Sequence, residues 1–528
     1  MAFERKSPRP KITAFQLFLI LPALITTGSG TSFASPGEEI RIEVVADRGQ
    51  DIGQAFGSLF EATSTDGSMT ISAGFANGYG TRYRSDRHEL AFYVRPRNLD
   101  RPIQVERLPR PNDLCGTYLF SRDGEVYSTH GGLKKWDERG KAWVDNPGPG
   151  GTHESMRVGN GILSFGDSTV TFDGQTILPP PTRGSYQLFY YANGFLCFYH
   201  IDRGAGGYRP FTSDKNGYSK LYACPWKPGE PAVDLTRAIV MTLPVVGETT
   251  FAWGVRDGQI VTGSNIGGFY VFEDGRWRTM LEPNLKVSYQ LYSSMAFGDR
   301  LIMGQYPTGR IFSFDGRSIV DQPGWPPVPK GVSTAAREAQ STAIYGGEIF
   351  AGVWPWGELW RYRQTADEWR LVRRMFDHPE PSAAIVHPYD TENQGDSVPN
   401  QWGQRVTSLV TSGGSLFVAT SAKDPCVWDE KRAPFLAPEK WKSYGSVYRL
   451  TMPGHLSATA AWTDGPTKLT FVISGETMKI YQDGRELGSG TLAGIPVSTS
   501  FANERAHWGK GIYGRFAGPK ITGEFTRP

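Results

Sequence analysis

Four cysteines (Cys115, Cys197, Cys224 and Cys426) in 528 residues are too few for a disulfide scaffold. A chain this long buries enough apolar surface to fold without one, and an oxidising compartment leaves room for one or two bridges. Apolar runs of membrane-spanning length are missing from the body of the chain, so no transmembrane helix is expected there. Helical periodicity is nearly absent, which points to an all-β chain. Net charge is scarce too. The formal value is +3, and setting aside Glu4, Arg5, Lys6, Arg9 and Lys11 of the N-terminal segment brings the rest near zero. Bulk charge therefore gives no ground for a polyanionic partner, and no nucleic-acid partner is expected; an anion would need a local basic patch.

What is present begins with a processing signal. Arg5, Lys6, Arg9 and Lys11 form a basic region, and 12–25 is mostly apolar, broken by Gln16 and Pro22. Ser32-Phe33-Ala34 places small residues where a signal peptidase reads. Residues 1–34 read as a signal peptide, and the mature protein is expected to be secreted or periplasmic with no membrane association.

Glycine (63 residues) and aromatics (13%) are plentiful, as many short strands joined by tight turns require. One pattern recurs: an apolar strand, a variable loop, an aromatic-rich strand, then a turn that is often Asp-Gly. Residues 260–275 and 301–316 are the clearest copies. Weaker ones run over 126–136, 162–174, 195–225, 349–362 and 416–450, spaced about 33 to 67 residues apart. Prolines follow the last strand of a copy, as in 178–181 and 322–327, which suits an outer edge or a connection. Radial repetition of four-stranded sheets accommodates this pattern. The expectation is a seven-bladed β-propeller over 111–454, with a weak copy at 69–93 that would make eight. Residues 35–110 read as an N-terminal β segment or extra blade. Residues 455–528, with the Asp483-Gly484 hairpin, read as a C-terminal β segment of sandwich-like pattern.

In such a blade the direction of the chain flips at every turn. The loop between the second and third strands and the connection to the next blade therefore emerge on one face. That face should carry His130, the stretch His200 to Arg209 including Tyr208, Asn265, Gln305, Tyr306, Arg310, Trp354 and Trp356. It should also carry His153, Tyr186, Gln187, Tyr289, Gln290, Trp402 and Arg405. Aromatic rings cover the apolar faces of sugars and arginine forks clamp carboxylate or sulfate, so the composition suits carbohydrate.

The order Thr129-His130-Gly-Gly, then His153, an aromatic strand with Tyr199, and Arg209 resembles the propeller-fold polysaccharide lyases, the ulvan lyases in particular, over about 110–450. The resemblance implies β-elimination at a uronic acid in an anionic, ulvan-like sulfated polysaccharide. Arg209 would bind the carboxylate, Tyr199 would act as base or acid, and His130 and His153 stand as alternatives for base and carboxylate partner. Tyr208 rivals Tyr199. Tyr208, Asn265, Tyr306, Arg310 and Trp354 would bind substrate. The family pattern leads one to expect a further histidine near the fourth blade. None occurs between His200 and His378, so Asn265 or Arg310 would substitute there.

The chemistry needs no cofactor, but the resemblance implies a structural zinc in some members, for which His200 and Cys224 are the candidates; a Cys197–Cys224 disulfide is the rival use of those sulfurs. Two rival functions remain. A non-catalytic glycan- or protein-binding propeller uses the same face. A glycoside hydrolase would need paired carboxylates there, and the loops show none; the Ser-x-Asp-x-Gly-x-Thr-Trp box of sialidases is also missing.

Overall fold

The structure, a computed structural model, describes residues 39–47, 58–75, 78–80, 83–146, 154–204, 217–256, 258–285, 290–306, 308–322, 324–332, 337–389, 401–423, 425–431, 433–463, 465–498, 500–509 and 520–526. The signal segment and His153, Tyr208, Tyr289 and Arg209 lie outside them.

Strand-forming sequence dominates, and the turns that join it are chemically explicit. Asp123-Gly124, Asp173-Gly174, Asn193-Gly194, Asp274-Gly275 and Asp483-Gly484 all take positive φ at both residues. That is the two-residue turn whose twist matches antiparallel strands, and Asp/Asn-Gly is the pair that tolerates it. Each turn sends the chain back beside itself. Five four-stranded sheets result, together with two four-stranded units inside a ten-stranded sheet. In chain order these units cover 119–145, 155–178, 185–242, 250–281, 290–322, 338–374 and 405–451. Strand Gln104–Leu108 adds the outer edge of the last by pairing with Val447–Thr451.

The units form a propeller. Inner strands of the third to seventh units pack in succession, Ser155–Val158 of the second packs on Leu119–Arg122 of the first, and Arg405–Ser412 of the last returns to Leu119–Arg122. Separate apolar clusters fill the interfaces. Leu163, Tyr191 and Leu196 join the second unit to the third, and Tyr199, Trp253 and Tyr270 join the third to the fourth. Val261 and Leu301 join the fourth to the fifth, and Ile302 and Ile349 the fifth to the sixth. Phe350 and Leu409 join the sixth to the seventh, and Val126 and Phe417 link the seventh to the first. Among the described residues no helix is long and apolar enough to cross a membrane.

The two ends of the chain build one β-sandwich. One five-stranded sheet runs Arg485–Thr491, Thr477–Gln482, Thr467–Ser474, Glu39–Asp47, Lys520–Thr526. The other runs His455–Thr459, Glu89–Pro96, Met69–Phe75, Phe60–Ser64, Phe501–Trp508. Ile40, Ile42, Val44 and Ala46 alternate inward from the first, and Phe60 meets Phe471 edge-on at 5.3 Å in the shared core. The copy at 69–93 thus belongs to the sandwich and to what grows from it, not to the ring, and segments 35–110 and 455–528 interleave.

The sandwich rests on the short-turn face. Arg101 donates to Gly346 O at 2.6 Å and Arg95 to Gly347 O at 2.8 Å, while the Gly414 amide donates to Ser457 Oγ at 2.6 Å. From it a hairpin, Gly78–Gly80 with Tyr83–Arg84, enters the propeller axis. Gly78–Gly80 pairs with Gln290–Phe297 of the fifth unit, and Arg84 bridges Phe120 of the first, which fuses both units into the ten-stranded sheet. A side chain at residue 80 would come within 2.1 Å of the Tyr83 ring, so only glycine fits.

Buried acids lie where sandwich meets propeller. Burial pushes Asp86 up to about 6 and Glu89, beside Ser457 and Thr411, up to about 8. A carboxyl whose folded pKa is raised holds its proton in the folded chain after the unfolded chain has released it, so stability falls as pH rises through that window. Urea unfolding should therefore show stability dropping between pH 5 and 8. Glu89→Gln should flatten that fall by up to about 1.4 kcal/mol per pH unit; an unchanged slope would refute this assignment.

Candidate functional site

The face opposite the sandwich carries the long loops, as the alternation of strand direction requires. Loops from within a unit pair with the connection to the next: Thr308 bridges Arg337, Trp356 bridges Gln404, and Gly116 bridges Ser421. A cavity of about 750 Å³ opens on this face over the first four units. Its wall includes Thr129, Glu154, Phe165, Asp167, Ser168, Tyr186, Gln187, Phe189 and Phe251, and Tyr79 and Arg84 reach it from the axial hairpin.

Backbone irregularity shapes the cavity. Ladder register slips between Gln187 and Tyr190 and between Thr250 and Ala252, near the loop-face ends of two inner strands. Such bulges re-aim side chains. The residues skipped are Leu188, Phe189 and Phe251, all in the cavity wall; Leu188 holds φ 56°. Phe165 stacks on Phe189 at 5.6 Å, and Phe251 stacks on Tyr292 at 4.9 Å.

Arg84 is the most constrained charge in the wall. Its Nε donates to Glu154 Oε2 at 2.7 Å and its Nη2 to Phe189 O at 2.8 Å, while its guanidinium carbon sits 4.4 Å from the centre of the Tyr79 ring and 4.6 Å from that of Phe165. Burial pushes the neighbouring Tyr79 phenol up to about 12. Aromatic faces, a fork and two carboxylates, Glu154 and Asp167, together make a surface that can grip a polar ligand with apolar faces. Of the two carboxylates, Glu154 is already engaged by Arg84. Arg84 was missed because the hairpin bearing it was taken for part of a weak blade copy.

The candidates from sequence distribute unevenly. Thr129 and Glu154, the chain neighbours of His130 and His153, both line the cavity. His130 is half-buried, with Nε2 3.3 Å from Pro425 O and its ring edge-on to Tyr118 at 5.3 Å. Tyr199 is corrected: it is fully buried in the interface of the third and fourth units, edge-on to Trp253 at 6.0 Å. Alternation turns it with Cys197 and Ile201 into that core, away from the cavity.

His200 faces the other way, half-buried among rings, 4.8 Å from Tyr186 and 4.9 Å from Tyr218. Its Nε2 lies 2.8 Å from Arg183 O and 3.0 Å from Tyr218 Oη, and burial lowers its pKa. Asn265 is buried and stitches two loops, donating to Gly247 O at 3.4 Å and accepting from the Thr249 amide at 3.0 Å, so its amide serves the scaffold rather than a ligand. Arg310 pairs with Asp321 at 2.6 Å. Tyr306 is half-buried, 6.4 Å from Trp354, which is itself buried against His387 at 4.7 Å.

The zinc pair is corrected by register. His200 lies opposite Lys220 and Cys224 opposite Leu196, so four residues separate them along the ladder, about 13 Å at strand rise. One zinc needs all its ligands within about 2.0–2.3 Å. Burial also pushes the Cys224 thiol up to about 12. Among the described residues no three His, Cys, Asp or Glu side chains converge as a metal site.

No protein-family model matches the chain, and no curated protein does. Solved structures with related arrangements include the RRP9 WD40 repeats, at 13% identity and TM-score 0.38, over 66% of this chain and 100% of that one. BamB from Moraxella catarrhalis matches at 11% identity and TM-score 0.30, over 77% of this chain and 96% of that one. YCF48 bound to D1 peptide matches at 13% identity and TM-score 0.34, over 67% and 96%. The propeller assignment itself rests on the sheet order and register above.

The buried Arg84–Glu154 pair makes a measurable claim. Removing one partner strands the other charge in a partly closed wall. Arg84→Met should cost about 3–5 kcal/mol in guanidinium unfolding, and adding Glu154→Gln should recover part of that loss; equal stabilities across the cycle would show the pair to be energetically idle.

Proposed function

We propose that the protein is a secreted polysaccharide lyase that takes an acidic, uronate-containing chain into the loop-face cavity and cleaves it by β-elimination. One observation carries this reading: residues flanking His130 and His153 in sequence, Thr129 and Glu154, wall a single cavity lined with aromatic rings. Elimination needs the uronate carboxylate neutralised, the C5 proton removed and the departing glycosidic oxygen protonated. Arg209 is assigned the carboxylate, since a permanently charged fork binds it in bidentate fashion. His130 and His153 share the base and acid roles, because imidazole exchanges protons near neutral pH. Tyr199, being packed in the core, drops out. Tyr186, Phe165 and Phe251 would stack on sugar faces, and Tyr208, Tyr306 and Arg310 would hold flanking units of the chain. Donors aimed at the developing enolate are worth about 3–4 kcal/mol each.

A second reading has its own observation. Glu154 and Asp167 share the cavity wall, and a carboxylate pair is what glycoside hydrolysis uses.

Absorbance near 235 nm during incubation with ulvan, alginate, pectin, heparin or chondroitin decides between them. Elimination leaves an unsaturated sugar that absorbs there. Hydrolysis yields new reducing ends without that signal, and simple binding yields neither. The lyase should give the 235 nm signal, and His130→Ala and Arg209→Ala should each slow it by about 10²–10⁴-fold while leaving the circular dichroism unchanged. Reducing ends without absorbance, lost in Glu154→Gln, would transfer the assignment to the hydrolase; no product from any of the five would reduce the cavity to a binding site.

A further inference from the structure

The four cysteines are thiols, and they come in two neighbouring pairs that strand register tells apart. Cys197 lies opposite Ala223, and Leu196 lies opposite Cys224. The two sulfurs are thus offset by one residue, and an offset of one puts side chains on opposite faces of a sheet. The structure accordingly places Cys197 in the core between the third and fourth units and Cys224 in that between the second and third. No disulfide can join them without breaking the ladder, which removes the bridge named as a rival use of those sulfurs.

Cys115 and Cys426 stand differently. Leu114 and Val427 form an isolated antiparallel bridge, and Cys115 and Cys426 are the residues next to it on the two segments. The Cys115 amide donates to Cys426 O at 2.9 Å. The Cys426 sulfur is close enough to act on the Cys115 thiol, and residues joined by an antiparallel backbone hydrogen bond have Cα atoms about 5.5 Å apart. That separation falls inside the roughly 4.4–6.8 Å range a disulfide spans. Cys115 is fully buried and Cys426 is partly exposed, accepting from Gln401 Nε2 at 2.8 Å. The nearness of the Cys426 sulfur adds to burial in pushing the Cys115 thiol up to about 12.

We propose that Cys115 and Cys426 form a disulfide when the folded chain meets a small-molecule disulfide such as oxidised glutathione. Cys426, the accessible sulfur, attacks the external disulfide as thiolate and expels one glutathione thiolate. Cys115 then gives its proton to that thiolate and attacks Cys426, expelling the second glutathione. Two protein thiols and one external disulfide become one protein disulfide and two external thiols. The bond ties the connection entering the first unit to the long loop of the last, so it closes the ring covalently where strand Gln104–Leu108 closes it by hydrogen bonds. It also fixes Pro425, whose carbonyl lies against His130.

The full-length purified protein, equilibrated with oxidised or reduced glutathione, is denatured with a thiol-blocking reagent and mapped by mass spectrometry without reduction. Oxidised protein should yield one linked pair of peptides, carrying Cys115 and Cys426, with Cys197 and Cys224 recovered blocked. Its melting temperature should exceed that of the reduced protein. In Cys426→Ser, which exchanges a partly exposed sulfur for a hydroxyl, all three remaining cysteines should be blocked and the oxidant should leave the melting temperature unchanged. Four blocked cysteines in the oxidised native chain, a Cys197–Cys224 link, or a bond formed with no rise in melting temperature would overturn the proposal.

Discussion

The Tyr83 hydroxyl donates to the Thr342 carbonyl at 2.7 Å and accepts from the Thr342 amide at 2.7 Å. Both contacts are fully buried, and they join the axial hairpin to an inner strand of the sixth unit. Gly78–Gly80 and Arg84 join the same hairpin to the fifth and first. Inner strands of a ring of sheets present unpaired edges around the axis, and unpaired buried amides and carbonyls are costly. The hairpin fills that need on one side of the ring. It can do so only because the sandwich from which it grows is anchored beneath, by Arg95 and Arg101, to the turns of the sixth unit. The chain ends, the axis and the loop face are therefore mechanically one object.

Much of this was legible in sequence, and for physical reasons. Asp-Gly and Asn-Gly turns announce themselves because few other pairs tolerate positive φ twice, and the repeat they punctuate gave the propeller. The facing of the loops followed from strand direction alone. The hairpin was not legible: its strands span three and two residues, too short for any periodic signal, and its partners lie in separate units, at Phe120 and at 293–295. The sandwich was half legible. Alternation marked its strands, but pairing between the two ends of a chain leaves no local trace.

The site candidates failed or stood by the same rule. The neighbours of two candidates, Thr129 beside His130 and Glu154 beside His153, line the cavity, because a loop residue needs only the right face. Tyr199, His200 and Cys224 needed the parity and register of a strand within its ladder, and a single-residue error there turns a side chain from solvent into a core. Asn265 was on the expected face, yet buried amides are spent on loop carbonyls before any ligand arrives, so residue type alone overstated its role. Asp167 sits in a four-residue turn, where an acid looks like turn chemistry; only the bulged strands beside it reveal that the turn overhangs a cavity.

The position of that cavity follows from the hairpin. Gly78–Gly80 and Arg84 pair with inner strands of the fifth and first units and Tyr83 holds the sixth, so among the described residues the inner strands of the second, third, fourth and seventh units have no strand partner at the axis. A register slip recurs in the inner strands of the third to seventh units, and in the third and fourth the residues it sets apart, Leu188, Phe189 and Phe251, line the cavity with Tyr79 and Arg84. The hairpin lines the axial side of this recess rather than filling it, and Arg84 is the guanidinium it places in the wall. That guanidinium sits on a hairpin that grows from the sandwich and is held by Glu154 and the Phe189 carbonyl of the ring, so both halves of the molecule build the wall of the recess.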